Sequence, residues 1–517
     1  MAASCSWGTG RSAESTTAGG TAAPATTQPA ATTTPETAAT TTTTTTSTTT
    51  TTTEAPRDCT PRPGVPPARI PSDDPVLAAV VVSRATFGCA DHVTVIPAGD
   101  PAIDDAALNA LSAGGPLLVI DGTNRIEVAG ELARLEPETI TVFGDPAVPL
   151  DVLAGWPVTR SADPPGRGSS RAPRAPEEAA RIWLVADDAG EVAVVVGVAA
   201  TATRDPVITV DGDDLRTMPD GDRAALRAAG GIPVTLVGPI TGEAPWQLDV
   251  IRDGMELPGG GLMLFPDRRL VAFYGNPLTP VLGVLGEQGP DAAIDRMLPI
   301  VARYEADGIP AIPAFEIIVT VADSRAGADG DYSNEMDPEV IRPWIEAAAG
   351  RGVYVILDLQ PGRTDFLTQA KYYEEFLRLP HVGLALDPEW RLEPDQLHLE
   401  QIGSVDAAEI NTVVEWLADL VRTEHLPQKL LLLHQFRLSM ITDRGLVETP
   451  PELAVAIQAD GQGPIESKYE TWAALTAGPE AERFWWGWKN FYDEDSPTPT
   501  PDQVLDLTPT AYYVSYQ

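Results

Sequence analysis

"VGLALDPEW", residues 382–390, is an apolar run that ends abruptly in two carboxylates and a tryptophan. Successive residues of a strand point to opposite faces. Val382, Leu384 and Leu386 therefore share one face, and Gly383, Ala385, Asp387 and Glu389 share the other. The arrangement recurs. In 353–360, Tyr354, Ile356, Asp358 and Gln360 oppose Val353, Val355, Leu357 and Leu359; in 453–460, Ala454, Ala456, Gln458 and Asp460 oppose Leu453, Val455 and Ile457; in 312–321, Ala314 and Glu316 oppose Phe315 and Ile317. One face is bulky. The other is mostly small and ends in a carboxylate or amide at the strand's C-terminal end, where the active sites of parallel barrels lie.

Working outward, the same half of the chain holds further strand-like runs: "LVAFYG" (270–275), "KLLLLHQF" (429–436), "RFWWGWKNFY" (483–492) and "AYYVSYQ" (511–517). Helix-like segments such as "PEVIRPWIEAAAGRG" (338–352) and "AAEINTVVEWLADLVRTEHL" (407–426) separate them. This predicts a (β/α)8 barrel over residues 246–517. Upstream, residues 58–245 alternate short strands with helices, which implies a parallel sheet covered by helices. "HVTVIPAG", "PLLVIDG" and "TITVFGDP" read as strands, with "DDAALNALSAG" and "NRIEVAGELARL" as helices between them. A second pass runs from "RIWLVADD" to "PVTLVGPI". The fold class is α/β throughout. Residues 1–57 stand apart: Ser12 to Pro56 is Thr, Ala and Pro, too poor in apolar surface to offset ordering entropy, and reads as a disordered, extended stalk.

The 517 residues carry a formal net charge of −39. Such acidity repels nucleic acid and anionic membranes, and binding to an acidic polymer would need a local basic patch. No apolar run is long enough to span a bilayer. Membrane association is expected only through Cys5, whose setting "AASC" resembles the lipobox of bacterial lipoproteins; an accidental cysteine near a disordered end is the plain alternative. Lipidation followed by a stalk suits an extracytoplasmic, surface-tethered protein. Cys59 and Cys89 would then be free to form a disulfide, the alternative being two separate thiols. The cysteines and histidines show no metal-binding spacing, and no metal or cofactor is expected. GxSxG and HExxH motifs are missing, and "DSRAGADGDYSNE" (323–335) fails the spacing of a calcium loop and reads as a mobile loop over the barrel mouth.

The strand faces bring Glu316, Asp358, Asp387, Glu389 and Asp460 to one barrel mouth, with His434 or Gln435 nearby. On one strand face Asp387 and Glu389 would hold their carboxyls about 6–7 Å apart, within the range glycosidases need to flank a scissile bond. Glu389 is expected as general acid, with Asp387 or Asp358 as base or stabiliser. Gln360, His434, Gln435 and Gln458 would contact sugar hydroxyls. Tyr274, Trp390, Trp486 and Trp488 offer flat rings for pyranose faces. Carboxylates also cap strands and bind arginines, so a non-catalytic glycan-binding or wall-associated protein is the rival reading. A salt bridge from Asp387 or Glu389 to Arg363 or Arg391 would favour it.

Three resemblances add to this. "ADHVTVIPAGDPAIDDAALNALSAGGPLLVIDGTNRI" and "LEPETITVFGDPAVP" resemble the cell-wall-binding repeats of bacterial surface proteins, with copies at about 73–156 and 180–242. The resemblance implies wall binding. The Asp-x-Glu that closes a strand resembles lysozyme-type muramidases and chitinase-like barrels, which implies a polysaccharide or cell-wall glycan as partner. "LALDPEW", "IGSVDAAEIN", "LLLHQFRLSMI", "QADGQG" and "WWGWKNFYDED" resemble an uncharacterised family of actinobacterial exported proteins, which implies location and barrel fold.

Overall fold

The computed structural model describes residues 57–62, 64, 67–144, 150–161, 172–212, 214–398 and 400–517. The Thr-rich segment to Pro56 and Cys5 lie outside them. Residues 58–517 form one compact unit, and no helix among the described residues is long and apolar enough to cross a membrane.

The first part is built from eight strands: β1 (Arg69–Ile70), β2 (His92–Pro97), β3 (Leu117–Ile120), β4 (Thr139–Val142), β5 (Val158–Arg160), β6 (Ile182–Ala186), β7 (Val207–Val210) and β8 (Val234–Val237). They form two parallel four-stranded sheets, ordered β3-β2-β4-β5 and β7-β6-β8-β1. In each, the first strand of the pass is central, the second and third flank it, and a short extra strand pairs outside the third. This repeated order is what two copies of one unit would produce. The helix Glu191–Thr203, "EVAVVVGVAATAT", packs against helices Pro75–Arg84 and Ile103–Ala113. It is apolar almost all round because it is buried rather than surface-lying. One core serves both sheets. A buried ion pair, Arg181 Nε to Asp205 Oδ2 at 2.7 Å, also ties the two sheets' segments together, because Arg181 Nη1 donates to the Ala85 carbonyl at 3.1 Å. Cys59 and Cys89 form a disulfide that pins the start of the unit. Helix Ala244–Asp253 buries Leu248, Val250 and Ile251 in this same core.

The second part adds β9 (Arg269–Gly275), β10 (Ala311–Ala322), β11 (Ser333–Glu335), β12 (Tyr354–Leu359), β13 (Val382–Leu386), β14 (Val405–Asp406), β15 (Lys429–Gln435), β16 (Ile441–Thr442), β17 (Leu453–Ala459), β18 (Trp485–Asn490) and β19 (Ala511–Tyr516). Strands β9, β10, β12, β13, β15, β17, β18 and β19 pair in parallel in that order, and β19 pairs back onto β9. This is the closed eight-stranded barrel that the sequence predicts. β11 extends it antiparallel to β10, and β14 pairs with β16 on the rim. The loop before β11 is tied to the segment after β12: Asp331 accepts from Ser333 N at 2.9 Å and from Thr364 Oγ1 at 2.7 Å.

The strand faces sort as the alternation dictates. Leu270, Ala272, Ala314, Tyr354, Ile356, Ala385, Leu432, Ala456 and Tyr513 fill the interior, with Leu257, Leu264 and Phe265 joining them. Val355, Leu357, Leu384, Leu386, Leu431 and Val455 pack under the helices. Close fit explains two glycines. A Cβ at Gly383 would lie 2.9 Å from the Tyr354 hydroxyl, and one at Gly487 would lie 3.1 Å from the Tyr513 ring. The mouth at the strands' C-terminal ends is where the polar side chains gather.

Candidate active site

His434, at the end of β15, is the hub. It is fully buried. Its Nε2 lies 2.7 Å from Glu316 Oε1, and its Nδ1 lies 3.0 Å from Asp460 Oδ2 and 3.7 Å from Asp387 Oδ2. The Asp460 contact is at ion-pair distance without the alignment of a hydrogen bond. Burial opposes charge on the ring, but Glu316 and Asp358 outweigh it and hold the imidazole protonated well above its usual range. Both ring nitrogens then face carboxylates as donors. Tyr513 donates to Glu316 Oε2 at 2.7 Å, and Tyr274 donates to Asp358 Oδ2 at 2.9 Å. Below them, Gln458 donates to Ser515 Oγ at 2.6 Å.

Lys489 is the second cation. Its Nζ lies 3.2 Å from Asp460 Oδ1 and 3.6 Å from the centre of the Tyr274 ring. Burial works against its charge, but Asp460 and Glu316 prevail and keep it an ammonium. Burial would likewise push Asp460 up, yet Lys489 and His434 hold it below the usual carboxylate range. Asp460 stays ionised.

The other carboxyls go the opposite way. Burial pushes Asp358 up to about 6. Burial and Glu389 push Asp387 well above the usual range. Burial and the charge of Asp460 push Glu389 up to about 7. Two environments on one rim thus separate the ionisation of Glu389 and Asp460, the signature of an acid and its partner.

A cleft of about 540 Å³ opens at this mouth. Glu389 and Asp460 both line it, with Gln360, Lys489 and the rings of Tyr274, Trp390, Phe436 and Phe491. Among the described residues, the Glu389 carboxyl makes no ion pair: Arg391 is taken by Glu409 at 2.9 Å, and Arg363 donates to the Gln396 carbonyl at 2.7 Å. Among the described residues, Asp387 has no arginine partner either.

Several expected positions change. β13 stops at Leu386, and Pro388–Trp390 is a 3-10 turn, so Glu389 does not continue the strand face of Asp387. Pro388 cannot donate to the ladder and the chain turns there. The turn is fixed because Gly403 N donates to the Glu389 carbonyl at 2.7 Å. Trp486 and Trp488 do not reach the cleft. They are 3% and 1% exposed and pack edge-on against Trp472 under the helices. They alternate with Gly487 and Lys489, which take the inner face, so strand parity excludes them. Gln435 likewise faces outward and accepts from Arg444 Nη1 at 3.0 Å. Gln458 lies on the floor rather than at the rim, and Glu316 and His434 are buried beneath the cleft. Phe491, one of the aromatics of "FWWGWKNFYDED", does line the cleft, whereas Lys489, Tyr513 and Phe436 have no role in the sequence reading. The alternation in "WWGWKN" was the available signal for Lys489.

Asp358, Asp387 and His434 bring one potential metal-ligand atom each to within 4.8 Å of one another. With His434 Nε2 hydrogen-bonded to Glu316, Nδ1 at ion-pair distance from Asp460 and Lys489 close by, the arrangement fits a proton-bearing network better than a metal ion.

No family model matches the chain, and no curated protein matches it. A solved structure, Cwp6 from Clostridium difficile, aligns over 72% of this chain and 63% of its own length, at 13% identity and a TM-score of 0.19. That superposition is too loose to show a shared fold.

Proposed function

We propose that the barrel mouth hydrolyses glycosidic bonds in a cell-envelope or extracellular polysaccharide, with Glu389 as general acid and Asp460 as its ionised partner. One observation carries this reading: two carboxyls with opposite ionisation line a single cleft among aromatic rings. Asp460 takes the partner role expected of Asp387 or Asp358, because those two are buried below the cleft and held toward their neutral forms. Protonated Glu389 donates to the leaving glycosidic oxygen as the bond to the anomeric carbon breaks. Asp460 either attacks that carbon or takes a proton from the water that does. Lys489 and His434 keep Asp460 an anion in both cases. Trp390, Phe436 and Phe491 offer faces for sugar rings.

We read the chain as extracytoplasmic and surface-tethered through Cys5, with the duplicated sheets as the wall-associating part. The Cys59–Cys89 disulfide suits that compartment. The repeated strand order suits the resemblance to wall-binding repeats.

The test is the pH dependence of kcat/KM on a hydrolysed polysaccharide. The acid must be protonated, so the rate is expected to fall as pH rises through about 7. The partner must be ionised, so the acid limb should lie below the usual carboxylate range. A rate still climbing at pH 9 would rule out Glu389 as the acid.

A further inference from the structure

Besides Lys489, which is buried against Asp460, one other cation among the described residues lines the cleft: Arg437, the second residue after β15. It is exposed, and among the described residues its guanidinium makes no hydrogen bond or ion pair. Its contact is the Phe436 ring, 5.7 Å away. Acidic residues outnumber basic ones 74 to 35 in this chain, so an unmatched arginine beside a carboxyl-lined mouth is informative.

Its place is fixed by the fold. β15 lies between β13 and β17, so the loop carrying Arg437 sits between the turn bearing Glu389 and the strand end bearing Asp460. The loop is latched. Arg444, buried beneath it, donates to Gln435 Oε1 at 3.0 Å, to the Leu475 carbonyl at 2.9 Å and to Glu480 Oε1 at 2.6 Å. Met440 N donates back to the Arg437 carbonyl at 3.1 Å, and β16 pairs with β14. The outward-facing Gln435 thus helps hold a wall of the cleft. The wall offers Arg437 no carboxylate of its own.

We propose that Arg437 selects a sugar bearing a carboxylate, a uronate or a lactyl ether, at the subsite beside the scissile bond; this deepens the hydrolase reading and rests on it. A neutral sugar needs no cation there. An acidic one would be repelled by ionised Asp460 unless a further cation met it. The planar guanidinium grips a carboxylate through two parallel hydrogen bonds, and the ring of Phe436 supports it from one side.

The test is calorimetric binding to the full chain carrying Glu389→Gln, which cannot turn the ligand over. The probes are uronate oligosaccharides and peptide-free wall glycan strands, each before and after reduction of their carboxylates to alcohols. An acidic probe is expected to bind about tenfold tighter than its reduced form, as one charge-assisted contact implies. Adding Arg437→Gln should abolish that preference and Arg437→Lys should keep part of it, with circular dichroism unchanged. Which acidic probe binds identifies the carboxylate. Equal affinity for acidic and reduced forms, a preference that survives Arg437→Gln, or no binding of either acidic probe would overturn the inference. A preference found alongside a wild-type chain that hydrolyses nothing would refute the hydrolase reading and leave Arg437 as a binding determinant.

Discussion

Replacing Glu389 by glutamine removes an ionisation that the fold opposes, and the cost of that ionisation can be measured. The carboxyl's ordinary value is 4.5, and in the folded chain burial and Asp460 push it up to about 7. Below about pH 4.5 it is protonated in both folded and unfolded chains, and glutamine, of the same shape, should change little. As pH rises further, the unfolded chain releases its proton while the folded chain holds it. A group whose folded value is raised gives stability that is present at low pH and lost as pH climbs through the folded value. The loss here is about 3 kcal/mol. Glu389→Gln should therefore match the wild type at pH 4.5 and exceed it by about that amount at pH 8, while abolishing hydrolysis. Urea unfolding followed by tryptophan fluorescence from pH 4.5 to 8.5 measures it. Stabilities that run parallel across the range, or a variant less stable at pH 8, would refute the assignment of a strained acid.

Three further outcomes follow from the same geometry. Lys489→Met strips Asp460 of one of its two buried cations and should cost about 3–5 kcal/mol by urea unfolding, with the acid limb of any pH–rate profile moving upward. Gly403→Ala puts a Cβ 2.6 Å from the Glu389 carbonyl oxygen and 2.3 Å from that of Arg391; the turn must shift, so kcat should fall at least tenfold while the circular dichroism of the barrel persists. Trp488→Ala should cost about 3–5 kcal/mol of stability yet leave glycan affinity, measured on the folded protein, unchanged, because the ring packs under the helices.

The barrel was legible because each of its eight strands is a short apolar run, and alternate residues within a run differ in size and polarity. That alternation also placed Asp358, Asp387 and Asp460 at the mouth. The same alternation holds where the aromatic and polar residues obscure it. In "FWWGWKNFY" the density of aromatics masks the alternation, in which Gly487 and Lys489 occupy the inward positions and Trp486 and Trp488 the outward ones. Gln435 sits one residue beyond His434 and so takes the other face. Glu389 was read as continuing a strand, but Pro388 ends the ladder and turns the chain. Partners distant in sequence were not legible at all: Tyr513 reaches Glu316 across 197 residues, and Lys489 meets Asp460 from the neighbouring strand.

Hydrolysis in ¹⁸O-labelled water tests the central claim most directly. The full chain is incubated with a panel of envelope and extracellular polysaccharides, and new reducing ends are read by mass spectrometry. The wild type is expected to release fragments carrying one ¹⁸O, and Glu389→Gln and Asp460→Asn are expected to release none. No labelled fragment from any polysaccharide, or release by either variant equal to that of the wild type, would contradict the account and leave the mouth a binding site.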